Sequence, residues 1–208
     1  MKMVEWKKNN NALEYYKEYS FENTDLTQEY FTLPSSIFKT SLLREANFKI
    51  QENTSYVDCE YILFPIPFVK TLMFTNEHVY RYAIGNPGQS VSIEIFVKRY
   101  SHHDRVVKRL INWYVKFQKD LSPSHRNYIK SILVRIIQTH YDLSLTYNPD
   151  KVIGKRNASE FDQFLKENAK EFIYEKSFLA SILKRIKSRV YKTKNKWKRS
   201  LQKRLHRR

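Results

Sequence analysis

The chain has 208 residues, 41% hydrophobic and 15% aromatic, which is enough apolar mass for one packed domain, or one plus an appendage, and excludes global disorder. Only 3 glycines argue against a β-sandwich, a Gly-rich phosphate loop and a complete nucleotide-binding βαβ fold, and the single Cys59 excludes a disulfide framework or Cys-based zinc site and fits a reducing cytoplasm. The formal charge of +17 is uneven: residues 176–208 hold 14 Lys/Arg and no Asp or Glu, whereas the other 175 residues set 24 basic against 21 acidic side chains.

In chain order, residues 1–20 read as a short helix or irregular lead-in, with no apolar signal core in Met1–Asn11. Pro34-Ser35-Ser36 opens a short helix over 37–43, with Ser as its cap and Ile37, Phe38 and Leu42 turned inward. Phe48-Lys49-Ile50 is a short extended piece, followed by the polar loop 51–55. Tyr56–Phe64 then reads as a short buried helix stopped by Pro65 and Pro67. Two strands are expected at 70–74 and 78–82 across the turn Thr75-Asn76-Glu77. Gly85 and Gly88 bracket a polar loop that ends in Gln89-Ser90, where positive φ or close approach to a ligand is expected. Beyond residue 100 the pattern is helical. Val106, Val107, Leu110, Ile111 and Tyr114 form one stripe, and Ile129, Ile132, Leu133, Ile136 and Ile137 a second. Asn148-Pro149-Asp150 breaks the run before Phe161, Phe164, Leu165 and Phe172. No apolar run approaches the roughly 20 residues of a spanning helix.

Asp58 and Glu60 are the most suggestive titratable pair. Their apolar neighbours Tyr56, Val57, Tyr61 and Ile62 would desolvate a carboxyl and suit it to accept a proton, and a D-x-E spacing can also offer oxygens to a divalent metal. On spacing alone the plainer reading is preferred, with Asp58 as a helix cap and Glu60 as a solvated side chain. Gln89 and Ser90 suit a sugar or phosphate, although an ordinary turn explains the loop equally well. His102-His103-Asp104 offers His103 as a weak metal ligand, against a structural role at a helix start.

In the tail, Leu179, Ile182, Leu183, Ile186, Val190, Trp197, Leu201 and Leu205 fall near one helical stripe. Lys184, Arg185, Lys187, Arg189, Lys198 and Arg199 are among the cations around it. A basic amphipathic helix bearing Trp197 fits the surface of an anionic bilayer, where each cation contributes about 1 kcal/mol. Nucleic-acid phosphates would need charge but no apolar face, so that partner is disfavoured; a disordered solvated end is the third reading.

Three stretches between residue 34 and about 115 bear a family likeness: Ser36–Leu43, Tyr56–Tyr61 and, most specifically, Val79–Ser92. They resemble the C-terminal half of family 2 glycosyltransferases of the capsule, exopolysaccharide and teichoic-acid type. The resemblance implies a GT-A type domain that moves a sugar from a nucleotide-sugar to an acceptor hydroxyl with inversion. The family's acidic pair falls on Val57-Asp58, which makes Asp58 the base and leaves the first carboxylate absent. Glu60, Arg81, Tyr82, Gln89 and Ser90 would then lie around donor or acceptor. The complete family enzyme is expected to use Mg or Mn, with none held by this chain alone.

The family's first strand and its D-x-D motif have no counterpart here. The resemblance therefore leads to a partial enzyme, inactive or nearly so by itself, with the donor-binding half lost, separately encoded or cut away. The expected architecture is α+β and mostly helical, with short helices and a small hairpin. Residues 1–100 form the acceptor-side part, 101–175 a helical extension and 176–208 the tail helix. Expected partners are a nucleotide-sugar, a polysaccharide or lipid-linked acceptor, a separate donor-binding half and the inner face of the cell membrane. A noncatalytic membrane-surface or partner module is the alternative, with a nucleic-acid-binding protein behind it.

Overall fold

The computed structural model describes residues 9–77, 80 and 92–170. In chain order the regular elements are β1 (Glu18–Ser20), α1 (Thr40–Ala46), α2 (Asp58–Leu63), β2 (Thr71–Met73), α3 (Ile93–Lys98), α4 (Tyr100–Phe117), α5 (Pro123–Tyr141) and α6 (Lys151–Asn168). The architecture is α+β and mostly helical, with one small antiparallel strand pair.

The helices form where the apolar spacing places them. On α4, Val106, Val107, Leu110, Ile111 and Tyr114 are all buried, and on α5 Ile129, Ile132, Leu133, Ile136 and Ile137 are as well. Steps of three and four residues bring such side chains to one face, where their burial outweighs modest helix propensity. Phe21 fills the space at the start of α5, stacked on His125 with ring centroids 4.4 Å apart and edge-on to Tyr128. Pro65 and Pro67 end α2 as expected, and the chain continues into a 3₁₀ turn, Ile66–Phe68.

Two local expectations are corrected. The first helix starts at Thr40 rather than 37, and Ile37 is 85% exposed instead of inward. Leu33–Ser35 forms a 3₁₀ turn in which the Ser35 hydroxyl accepts the Thr32 N–H at 3.2 Å, so that serine is consumed one turn early. Ser36 is then extended, at φ −128° and ψ 133°, and a helix cannot nucleate through it. The lead-in is also not wholly irregular or helical, because its end is β1. β1 pairs with β2 in the register Glu18↔Met73, Tyr19↔Leu72 and Ser20↔Thr71, so the strand pair joins segments distant in sequence. Of the expected second strand, 78–82, only Tyr80 is among the described residues.

The chain divides into two compact units, Met1–Ile137 and Gln138–Arg208. Residues 101–137, set apart from sequence as part of a helical extension, thus belong to the same unit as β1, α2 and β2. In the second unit the last turn of α5 widens into a π-helical segment, Asp142–Tyr147, which the periodicity did not announce. The predicted break at Asn148-Pro149-Asp150 is real: Asp150 caps α6, its Oδ1 accepting the N–H groups of Val152 at 2.9 Å and Ile153 at 3.0 Å. Phe161 is fully buried, edge-on to His140 at 4.3 Å. Phe172 lies outside the described residues.

Gly154 serves close approach rather than an unusual φ. A Cβ at this position would stand 2.1 Å from the Ser144 carbonyl oxygen. Alanine normally gains about 1 kcal/mol over glycine in a helix. Here the obstacle is backbone and cannot rotate aside, so overpacking of about 1–3 kcal/mol outweighs that gain. Gly154→Ala is therefore expected to lower the unfolding midpoint in urea; a raised midpoint would show that the π-helical segment yields freely.

Candidate active site

Asp58 and Glu60 stand two residues apart on α2, about 200° around the helix at 100° per residue. They therefore face in opposite directions, and their surroundings differ accordingly.

Asp58 faces a cleft. With Cys59 and Ile62 from the same helix face, it lines a space of about 280 Å³, open solvent at the mouth included, together with Tyr30, Phe31, Thr32, Leu33, Leu63 and Ile132. Most of that volume is open solvent, so the space is a shallow pit with enclosed room for little more than a water molecule or two. The Asp58 side chain stays exposed at the rim. The surrounding protein mass still desolvates it enough to raise its carboxyl above the ordinary aspartate value, against weaker opposing hydrogen bonds from the Cys59 N–H and its own N–H. The Cys59 thiol is raised far more, first by burial and then by Asp58 and Glu60, which leaves it a protonated, unreactive wall. Burial likewise raises the Tyr30 phenol, with Cys59 and Asp58 adding to the effect and Arg135 opposing it. The Arg135 guanidinium carbon lies 5.7 Å from the Tyr30 ring centroid.

Glu60 points into the protein and is fully buried. Its Oε2 meets Arg109 Nη1 at 2.7 Å and accepts the Gln51 backbone N–H at 3.1 Å. Its Oε1 accepts the Gln51 side-chain amide. Arg109 also donates to the Lys49 carbonyl at 2.6 Å, and its guanidinium lies 5.1 Å from the Phe64 ring centroid. The solvated side chain of the plainer sequence reading is thus a buried ionic anchor. It does not line the cleft with Asp58.

The loop before α2 carries backbone strain. Tyr56 takes φ 71° and Asn53 φ 52°, left-handed values that are uncommon for an aromatic residue such as Tyr56. Tyr56 is held there by its ring, 4.3 Å from that of Phe96. The glycine loop, where positive φ was expected, lies outside the described residues.

His103 is buried, with its ring edge-on to Phe96 at 5.2 Å and to Tyr56 at 5.9 Å. Asp104 is taken by Lys108 at 2.7 Å, and His102 points to the 51–56 loop, its Nδ1 accepting the Ser55 N–H at 3.0 Å. Among the described residues no three His, Cys, Asp or Glu side chains converge to hold a metal ion. Arg81, Tyr82, Gln89 and Ser90 lie outside the described residues, as do Lys184, Arg185, Lys187, Arg189, Trp197, Lys198 and Arg199. No helix among the described residues is long and apolar enough to cross a membrane.

Sequence reasoning missed Tyr30, Phe31 and Leu33, which form the aromatic and aliphatic side of the cleft. The only local signal was an aromatic pair shortly before Pro34, and nothing in it points to residue 58. Compared with protein-family models, curated protein sequences and solved structures, the chain matches none of them.

Proposed function

We propose that this chain is the acceptor-binding, base-bearing part of an inverting sugar transferase of GT-A type, acting on cell-surface polysaccharide at the inner face of the membrane. The observation that carries the reading is the Asp58 carboxyl, desolvated yet reachable, on the rim of a cleft walled by Tyr30, Phe31 and Leu33. A sugar edge presents apolar C–H groups beside hydroxyls, and a cleft with an aromatic wall and one carboxylate suits both. A carboxylate with a raised pKa is also the stronger base.

In this reading Asp58 accepts the proton of the acceptor hydroxyl as that oxygen bonds to the anomeric carbon of the donor, and the nucleoside diphosphate leaves from the opposite side. Glu60 and Arg109 hold α2 so that Asp58 keeps its place. The divalent ion expected of the complete enzyme would be held with the donor and would neutralise the departing diphosphate. The donor half comes from a partner chain or segment that binds the nucleotide-sugar.

The test co-expresses this chain with the reading frame immediately upstream and supplies labelled nucleotide-sugars to the isolated membranes. Transfer of label to lipid or polysaccharide that requires both chains is expected. Label transferred equally well without this chain would refute the assignment.

The tail pattern favours a second role that stands with or without catalysis, attachment to an anionic leaflet. Vesicles of anionic phospholipid are expected to float the full chain, and deletion of residues 176–208 to abolish flotation. Steeply salt-dependent binding to duplex DNA, with vesicles ignored, would replace the membrane reading by the nucleic-acid one.

A further inference from the structure

α4 carries a cationic stripe that base chemistry does not use. Arg99, at its N-terminal boundary, is followed by His102, Arg105 and Arg109 at steps of three, three and four residues, so the four share one face. The polar loop 51–55 is tied to this face along its length. Glu60 neutralises Arg109. Among the described residues Arg99 and Arg105 have no such partner. Arg99 Nη1 donates to Ser55 Oγ at 3.1 Å and Arg105 Nη1 to Thr54 Oγ1 at 2.9 Å, and neither guanidinium meets a carboxylate among the described residues. Asp104, on the same helix, is engaged by Lys108.

Both arginines are exposed, and a guanidinium has five N–H donors, so most of their donor capacity faces solvent. Since His102 Nδ1 accepts from Ser55, the neutral ring carries its proton on Nε2 and adds another donor. Tying down a loop through neutral hydroxyls needs no such concentration of charge. A tetrahedral dianion does, because a guanidinium fork matches two of its oxygens at once. The Tyr56 phenol, raised chiefly by burial, is lowered by Arg99 and raised further by Asp58, so both charges act on one side chain.

We propose that Arg99 and Arg105, with His102 and the hydroxyls of Thr54 and Ser55, bind a phosphate or diphosphate group. The binding stands apart from sugar transfer. That the group belongs to a diphosphate ester in the reaction rests on the reading of Asp58 as the base. Two sources share this chemistry, the nucleoside diphosphate of a donor and the diphosphate of a lipid-linked acceptor.

Residues 176–208 attract anions too, so the test must resolve individual residues. Inorganic pyrophosphate is titrated into the isotope-labelled full chain while the amide signals of Thr54 and Ser55 and the ring signals of His102 are followed. Saturable shifts are expected at all three. Arg99→Gln and Arg105→Gln should each raise the half-saturating concentration about tenfold, as loss of a charge-assisted pair implies. Lys116→Gln, farther along the same helix, should leave it unchanged. The pair Arg99→Lys and Arg105→Lys keeps the charge if the glutamine variants fold poorly, and should still weaken binding because the fork is lost. Loop signals that stay still in millimolar pyrophosphate, or that saturate equally in the doubly substituted protein, overturn the site.

Uridine diphosphate and farnesyl diphosphate in neutral detergent micelles then separate the sources: the ester that saturates the loop signals names its own. A site that takes pyrophosphate and neither ester overturns the diphosphate-ester assignment. Intact anion binding in a chain that supports no transfer would remove the catalytic reading and leave this site standing.

Discussion

Replacing Asp58 by asparagine is expected to lower sugar transfer about 10²–10⁴-fold, the usual contribution of a positioned general base. Asparagine keeps the shape of the side chain and the wall of the cleft but cannot accept the proton. The fold should not suffer. The Asp58 carboxyl is raised above its unfolded value by desolvation, so ionising it costs more in the folded chain than in the unfolded one. Its contribution to stability is fully present below the ordinary aspartate pKa and is lost as pH rises through the raised folded value. At neutral pH the asparagine variant should therefore unfold at the same urea concentration as the parent or a slightly higher one, with the difference closing on acidification. Parent activity should fall as pH drops through the raised pKa of Asp58. Near-parental transfer by Asp58→Asn would take the base role from this residue.

Glu60→Ala is expected to show the reverse profile. Glu60 is fully buried and satisfies the Gln51 backbone N–H, the Gln51 amide and the Arg109 guanidinium together. Removing one member of a buried ion pair typically costs 3–5 kcal/mol, because the other is left without compensation. The Arg109 side chain is 35% exposed and can recover part of its hydration, which brings the expected loss to about 2–3 kcal/mol. Urea unfolding measures it directly. A loss within ~0.5 kcal/mol, the range of ordinary surface substitutions, would mean that the pair contributes little and that α2 is held by its apolar residues. The two variants differ by two positions in the chain and separate the roles cleanly: one removes activity with the fold intact, the other loosens the fold beneath the site.

What was legible in the chain was whatever depends on neighbours within about a turn. The stripes of α4 and α5, the proline stop after α2 and the break that ends in the Asp150 cap all follow from spacing and local hydrogen bonding. The early start predicted for α1 failed on the same scale, because Ser35 was spent in the preceding 3₁₀ turn. β1 escaped notice because a strand of three residues has almost no period of its own, and its partner β2 lies some fifty residues away. The third glycine was equally silent: Gly154 is required by the Ser144 carbonyl, and no helix pattern announces a backbone passing that close.

For the site itself, the sequence alone determined that Asp58 and Glu60 would sit on one short helix among apolar neighbours; read as a pair there, they are turned to opposite faces by a rotation of about 100° per residue. Which face would be wet was decided only by tertiary structure. Arg109, 49 residues downstream, came to rest against Glu60, and Tyr30, 28 residues upstream, came to wall the space beside Asp58. Desolvation makes that choice. A carboxylate is taken from water only where a distant cation and distant amides replace its hydration, and those partners meet it through the packing of α4 against α2.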